Sequence, residues 1–116
     1  MAFIAKIRRW LEWAPWQRWR TIGAVDSADD VPELLPGKHA MLVGTEAQPK
    51  WLAFDCPCRS GHRILLNLDQ RRLPCWTLLN SKKLTLRPSV DYSDSRRRCH
   101  YVVANGRIYW AHRRRS

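Results

Sequence analysis

A mostly β fold of the small α+β kind is predicted: a compact antiparallel sheet with hairpins, stapled by a zinc site and preceded by a helical Trp/Arg-rich segment. Three observations predict it. Seven short runs, "AMLVG", "WLAFD", "RILLNL", "CWTLL", "KLTLR", "YVVA" and "RIYWA", are rich in β-formers and separated by turn signals. Asn105-Gly106 sits between two of them, and that dipeptide suits a two-residue hairpin turn with positive φ. Cysteine and histidine gather in "CPCRSGH" and again in "CH" at 99–100.

The chain's 116 residues fit one domain with one core. A core of that size is adequate but not generous, so a structural metal would help hold it. A hydrophobic fraction of 45% argues against disorder. No apolar run approaches the length of a membrane helix, about 18 residues. The start, "MAFIAKIRRWLEW", has neither the apolar stretch nor the cleavage site of a signal peptide. The expected location is therefore the cytoplasm, where thiols stay reduced and serve metals or catalysis rather than disulfides.

In chain order, residues 1–20 read as an appendage. Phe3, Ile4, Ile7 and Leu11 have helical spacing up to about Trp13, and Pro15 ends or kinks that helix. Trp10, Trp13, Trp16 and Trp19 recur every third residue among arginines. At about 100° per residue they cannot form one narrow stripe. The mixture suits a partner groove or a membrane interface, and equally a segment packed back on its own domain. Residues 21–112 read as a single zinc-stapled β-rich domain, and 113–116 as a basic tail. At the start of that domain, Ser27 can cap a short helix with Asp29 and Asp30 in its first turn, stopped by Pro36-Gly37. The β-former runs follow.

The formal net charge is +11 and unevenly spread. Residues 1–20 carry five basic residues and one acid, residues 21–55 two and six, and residues 56–116 fourteen and three. Such a field attracts acidic partners, nucleic acid among them, without choosing between them.

The Cys56 and Cys58 thiols are one residue apart, so this is no redox C-x-x-C pair. Pro57 stiffens the pair and Gly61 lets the chain turn before His62. Zinc takes four such donors in a tetrahedron. Cys56, Cys58 and His62 supply three from one loop, and Cys99 can supply the fourth from the start of the last hairpin. Cys75, between Pro74 and Trp76, reads as a buried core cysteine, and His39 and His112 as surface residues. With four protein ligands the metal holds the fold; with three it could carry a reactive water.

"LRPSVDYSDSRRRCHYVV" holds a second constellation. Pairing of Leu84–Arg87 with Tyr101–Ala104 would bring Ser89 to His100. A serine hydroxyl needs a base within hydrogen-bond reach to attack a carbonyl, and histidine is the usual one. Asp91 or Asp94 could orient that histidine. The plainer alternative is a turn serine beside a metal-binding histidine.

The stretches "WLAFDCPCRSGHRILLNL", "LTLRPSV" and "CHYVVANGRIYW" together resemble a family of small bacterial proteins, some encoded beside ubiquitin-like conjugation genes. The resemblance covers Trp51 to Trp110. It implies a zinc-containing peptidase that trims or removes a ubiquitin-like protein. It puts zinc on Cys56 and Cys58, completed by Cys99 and His62, with Ser89 as nucleophile and His100 as base. Asp91 is then the expected third catalytic member. Two other functions stand beside this one. In a zinc-stabilised nucleic-acid module, Arg71, Arg72, Arg96–Arg98 and Arg113–Arg115 would contact phosphates. In a metallohydrolase, His100 would be a ligand and zinc-bound water the nucleophile.

Overall fold

The computed structural model describes residues 15–45 and 47–111. Among them are nine strands: β1 (Arg20–Val25), β2 (His39–Gly44), β3 (Pro49–Asp55), β4 (Arg63–Asn67), β5 (Thr77–Asn80), β6 (Thr85–Arg87), β7 (Val90–Ser93), β8 (Arg98–Ala104) and β9 (Arg107–Trp110). They form three small sheets, ordered β1-β2-β3-β4, β5-β6 and β7-β8-β9, instead of one. The mostly β expectation agrees with this; the single antiparallel sheet does not. The β1–β2 pair is parallel. Residues 26–38 cross back between its strands, and a parallel pair needs a crossover of about that length.

The β-former runs all fall on strands. β3 and β4 show why: Leu52, Phe54, Ile64 and Leu66 are buried, and the register pairs Leu52 with Leu66 and Phe54 with Ile64. All four therefore share the inner face. Leu84 and Leu86 of the β5–β6 hairpin, with Val90, Tyr101 and Val103 from the third sheet, join the same buried cluster. Three sheets thus enclose one core.

The expected helix after Ser27 is a single 3-10 turn, Ala28–Asp30. Ser27 Oγ accepts the Asp29 N–H, and Asp29 and Asp30 lie in that turn as the charge pattern suggests. It ends well before Pro36-Gly37, at Val31, next to Pro32. The helix expected up to Trp13 lies outside the described residues. Trp16 is exposed, whereas Trp19, read as part of the appendage, is buried edge-to-face against Phe54 at 5.7 Å. Arg20 already belongs to β1.

A three-way backbone junction surrounds Trp19. Its N–H donates to the Gly106 carbonyl, the Gly106 N–H to the Leu84 carbonyl, and the Leu84 N–H to the Trp19 carbonyl, each within 2.9 Å. The junction ties the N-terminal end of β1, the β5–β6 hairpin and the β8–β9 turn together. Asn105 and Gly106 have φ of 53° and 74°, as the hairpin requires. A Cβ on Gly106 would lie 2.8 Å from Arg18 Cβ and 3.2 Å from the Trp19 carbonyl. Gly106→Ala therefore meets an unfavourable φ and a clash, and is expected to cost about 1–3 kcal/mol in urea denaturation. An unchanged midpoint would mean that the junction does not constrain the turn.

Candidate active site and adjoining metal centre

The loop between β3 and β4 reverses tightly. The Cys56 N–H donates to the His62 carbonyl, the Arg59 N–H to the Cys56 carbonyl, and Arg59 and Gly61 take positive φ. This folds Cys56, Cys58 and His62 onto one spot. Cys99 arrives from β8, and the four ligand atoms all lie within 4.8 Å of one another. Cys58 Sγ is 3.1 Å and Cys99 Sγ 3.9 Å from His62 Nε2. A tetrahedral metal with bonds of about 2.0–2.3 Å needs donors separated by roughly 3.3–3.8 Å, so the arrangement fits an ion.

The electrostatics fit as well. Burial pushes the Cys56 thiol up to about 12, and burial also raises Cys99. Burial raises Cys58 too, but hydrogen bonds from the Ser60 hydroxyl, 2.7 Å away, and the Ser60 N–H outweigh it and hold that thiol down. Thiols that are costly to ionise alone gain most from a cation among them. Burial, then the Arg97 charge, depresses His62, which favours the neutral imidazole that a metal requires. His62 Nδ1 is buried with no hydrogen-bond partner among the described residues. His62 is held in place by stacking on Tyr92, with ring centroids 4.3 Å apart. Tyr101 is fully buried and brings its hydroxyl to 3.7 Å from Cys56 Sγ.

Cys75 lies outside this cluster. It is half-buried rather than buried, with Sγ 3.6 Å from Gln70 Oε1. His39 begins β2, half-buried, with Nδ1 2.7 Å from the Gly37 carbonyl. His112 lies outside the described residues.

Cys99 and His100 are consecutive on β8, so their side chains point to opposite faces. Cys99 turns inward to the cluster and His100 outward. Ser89 stands between Pro88 and the start of β7, where its Oγ comes within 3.0 Å of His100 Nε2. The Ser89 carbonyl accepts a 3.1 Å hydrogen bond from Trp76 Nε1, which fixes the backbone at the junction. With the proton on Nδ1, His100 accepts from the serine hydroxyl, the arrangement of a base poised to take its proton.

Asp91 pairs directly with His100 across the β7–β8 ladder, so the two side chains share the outer face. Its carboxylate is bound by Arg98, with Nε 3.1 Å from Oδ1 and Nη2 3.0 Å from Oδ2. Asp94, the other acid considered, shapes the turn between β7 and β8. The N–H groups of Arg96 and Arg97 and the Tyr92 hydroxyl all donate to it. These bonds, that of Arg96 first, hold its carboxyl below the usual range.

Sequence reasoning did not single out Trp76, Tyr92 or Tyr101 for the site. Each sits within three residues of a predicted site residue or of Cys75, yet only the folded chain shows which ring touches which group.

Together these features describe a small β-rich protein with a serine–histidine pair suited to hydrolysis, on the outer face of a sheet whose inner face holds a closed Cys3His cluster. A family model described as bacterial ubiquitination-like system serine protease (BubE) matches residues 27–111, nearly three quarters of the chain. The chain belongs to that family. The match spans both the cluster and the pair. No curated protein and no solved structure matches the chain.

Proposed function

We propose that this protein is a serine peptidase that releases a ubiquitin-like protein from a precursor or a conjugate, with Ser89 as nucleophile, His100 as base and a structural zinc ion in the Cys56–Cys58–His62–Cys99 cluster. The observation that carries this reading is the 3.0 Å contact between Ser89 Oγ and His100 Nε2, in a member of a family described as serine proteases of a ubiquitination-like system.

In the first half-reaction Ser89 Oγ attacks the scissile carbonyl carbon while its proton passes to His100 Nε2. The tetrahedral intermediate collapses, the C–N bond breaks, and the leaving amine takes the proton from Nε2. Water then attacks the acyl-enzyme, giving its proton to His100, and the carboxylic acid leaves as the serine recovers its hydroxyl. Asp91 supports His100 as its cross-strand neighbour, its negative charge held in place by Arg98. Bound zinc would join the β3–β4 loop to β8, and so set the position of His100 beside Cys99.

The metallohydrolase reading is less well supported. Four protein ligands leave no open position for water, and His100 faces Ser89 instead of the cluster. The nucleic-acid reading loses free cations: Arg71 is paired with Asp69 and Arg98 with Asp91. The family also points to a protein substrate.

A fluorophosphonate probe, which phosphonylates an activated serine, tests the pair without any knowledge of the natural substrate. Mass spectrometry is expected to find one adduct per chain, on Ser89, and none in His100→Gln. Labelling elsewhere, or undiminished labelling of His100→Gln, would sink the proposal.

A further inference from the structure

The outer face of the third sheet is divided. Along β8, Cys99, Tyr101 and Val103 are buried, so Arg98, His100 and Val102 face outward. On one side of His100 the face is ionic, with the Arg98–Asp91 pair. On the other side it is apolar. Val102 is 38% exposed and pairs with Tyr109 of β9, which is 52% exposed. The β7–β8 ladder ends beside this row, next to the catalytic serine. Val90–Tyr101 is its last pair, and Ser89 immediately precedes Val90, with its Oγ 3.0 Å from His100 Nε2. Val102 and Tyr109 thus form a cross-strand pair just past the end of the ladder at which Ser89 stands. With strands about 4.8 Å apart, Tyr109 is about 10 Å from Ser89, or roughly three residues of extended chain.

We infer that Val102 and Tyr109 form the seat for an apolar side chain of the substrate, on the acyl side of the scissile bond and about three residues from it. The inference rests on the peptidase reading and deepens it. The direction comes from the chemistry. The leaving amine takes its proton from His100 Nε2, so the leaving side lies toward His100 and the acyl segment runs the other way. That path crosses Val102 and reaches Tyr109. In a ubiquitin-like substrate the acyl segment is the C-terminal tail of the modifier, so the seat selects the modifier and leaves the released amine unread. Isolated exposed apolar residues are ordinary. A cross-strand apolar pair beside the nucleophile, on a face whose other half carries the Arg98–Asp91 ion pair, has a use there.

The test uses fluorogenic tetrapeptide amides of aminomethylcoumarin, with Leu or Asp placed in turn at each acyl-side position. The wild-type protein is expected to prefer Leu about three residues from the cleaved bond by about tenfold or more in kcat/KM, the size expected of one apolar contact. Tyr109→Ser is expected to reduce that preference to threefold or less while Ser89 still reacts with a fluorophosphonate. Val102→Thr keeps the side-chain shape, replaces a methyl with a hydroxyl and is expected to act in the same direction, so a folding defect in one variant does not decide the matter. An unchanged preference in variants whose Ser89 is still labelled overturns the seat alone. Absence of Ser89 labelling in the wild-type protein overturns the peptidase reading and the seat together.

Discussion

Ser89→Ala is expected to reduce cleavage of a ubiquitin-like fusion by about 10³-fold or more in kcat, with little change in fold or metal content. A rate loss of that size corresponds to about 4 kcal/mol of barrier and is characteristic of removing a catalytic nucleophile. Among the described residues the side chain's one hydrogen bond is to His100, and the residue is only partly buried. Its loss therefore costs about 1 kcal/mol of stability at most. The backbone bond from Trp76 to the Ser89 carbonyl survives the substitution, so the junction between β6 and β7 keeps its course. Cleavage is read by gel or mass spectrometry, fold by circular dichroism and metal by elemental analysis. Cleavage at the wild-type rate would exclude Ser89 as nucleophile and return the metal-bound water to consideration.

The largest stability effect is expected from Cys99→Ala. The purified protein should carry one zinc ion per chain, and the variant should lose it, with Tm lower by 15 °C or more. Cys56, Cys58 and His62 belong to the β3–β4 loop of the first sheet, whereas Cys99 belongs to β8 of the third. An ion bound by all four ties the two sheets together. Structural zinc contributes on the order of 10 kcal/mol in small folds, comparable to the whole stability of a domain this size. Cys75→Ala is the control. It lies outside the cluster on a half-exposed site and is expected to change stability by about 1 kcal/mol or less. Equal effects of the two substitutions would show that the cluster is only a packing feature. Because His100 follows Cys99 directly, loss of the metal should abolish cleavage as well.

What was legible in the chain was local. β3 and β4 announce themselves through apolar runs of strand length, and the β8–β9 turn through Asn105-Gly106, because both depend on neighbours in sequence. β1 and β7 did not stand out. β1 has no buried residue, and Gly23 interrupts it; β7, "VDYS", carries one buried residue and polar side chains of the kind common in turns. The parallel β1–β2 pair was equally hidden, since direction in a ladder depends on the crossover and not on the strands. Trp19 was open in the same way. Its spacing grouped it with the N-terminal tryptophans, a segment free by sequence to face a partner or to pack back on its own domain, and contact with Phe54 puts Trp19 in the core.

The sequence by itself determined the chemical types: three thiols and an imidazole suited to one ion, and a serine and a histidine able to work as nucleophile and base. The C-x-C-x-x-x-H spacing already places three donors on one loop, because so short a chain cannot separate them far. The sequence favoured Cys99 over Cys75 as the fourth donor, and the tertiary structure decided it, since donor choice across 37 residues depends on which strands pair. It also decided that Ser89 meets His100 and that the carboxylate of Asp91 is held by Arg98. The alternation of a strand explains how one short segment serves both centres. It turns Cys99 inward to the Cys3His cluster and His100 outward to the serine, a division of faces that emerges only when β8 is paired on both sides.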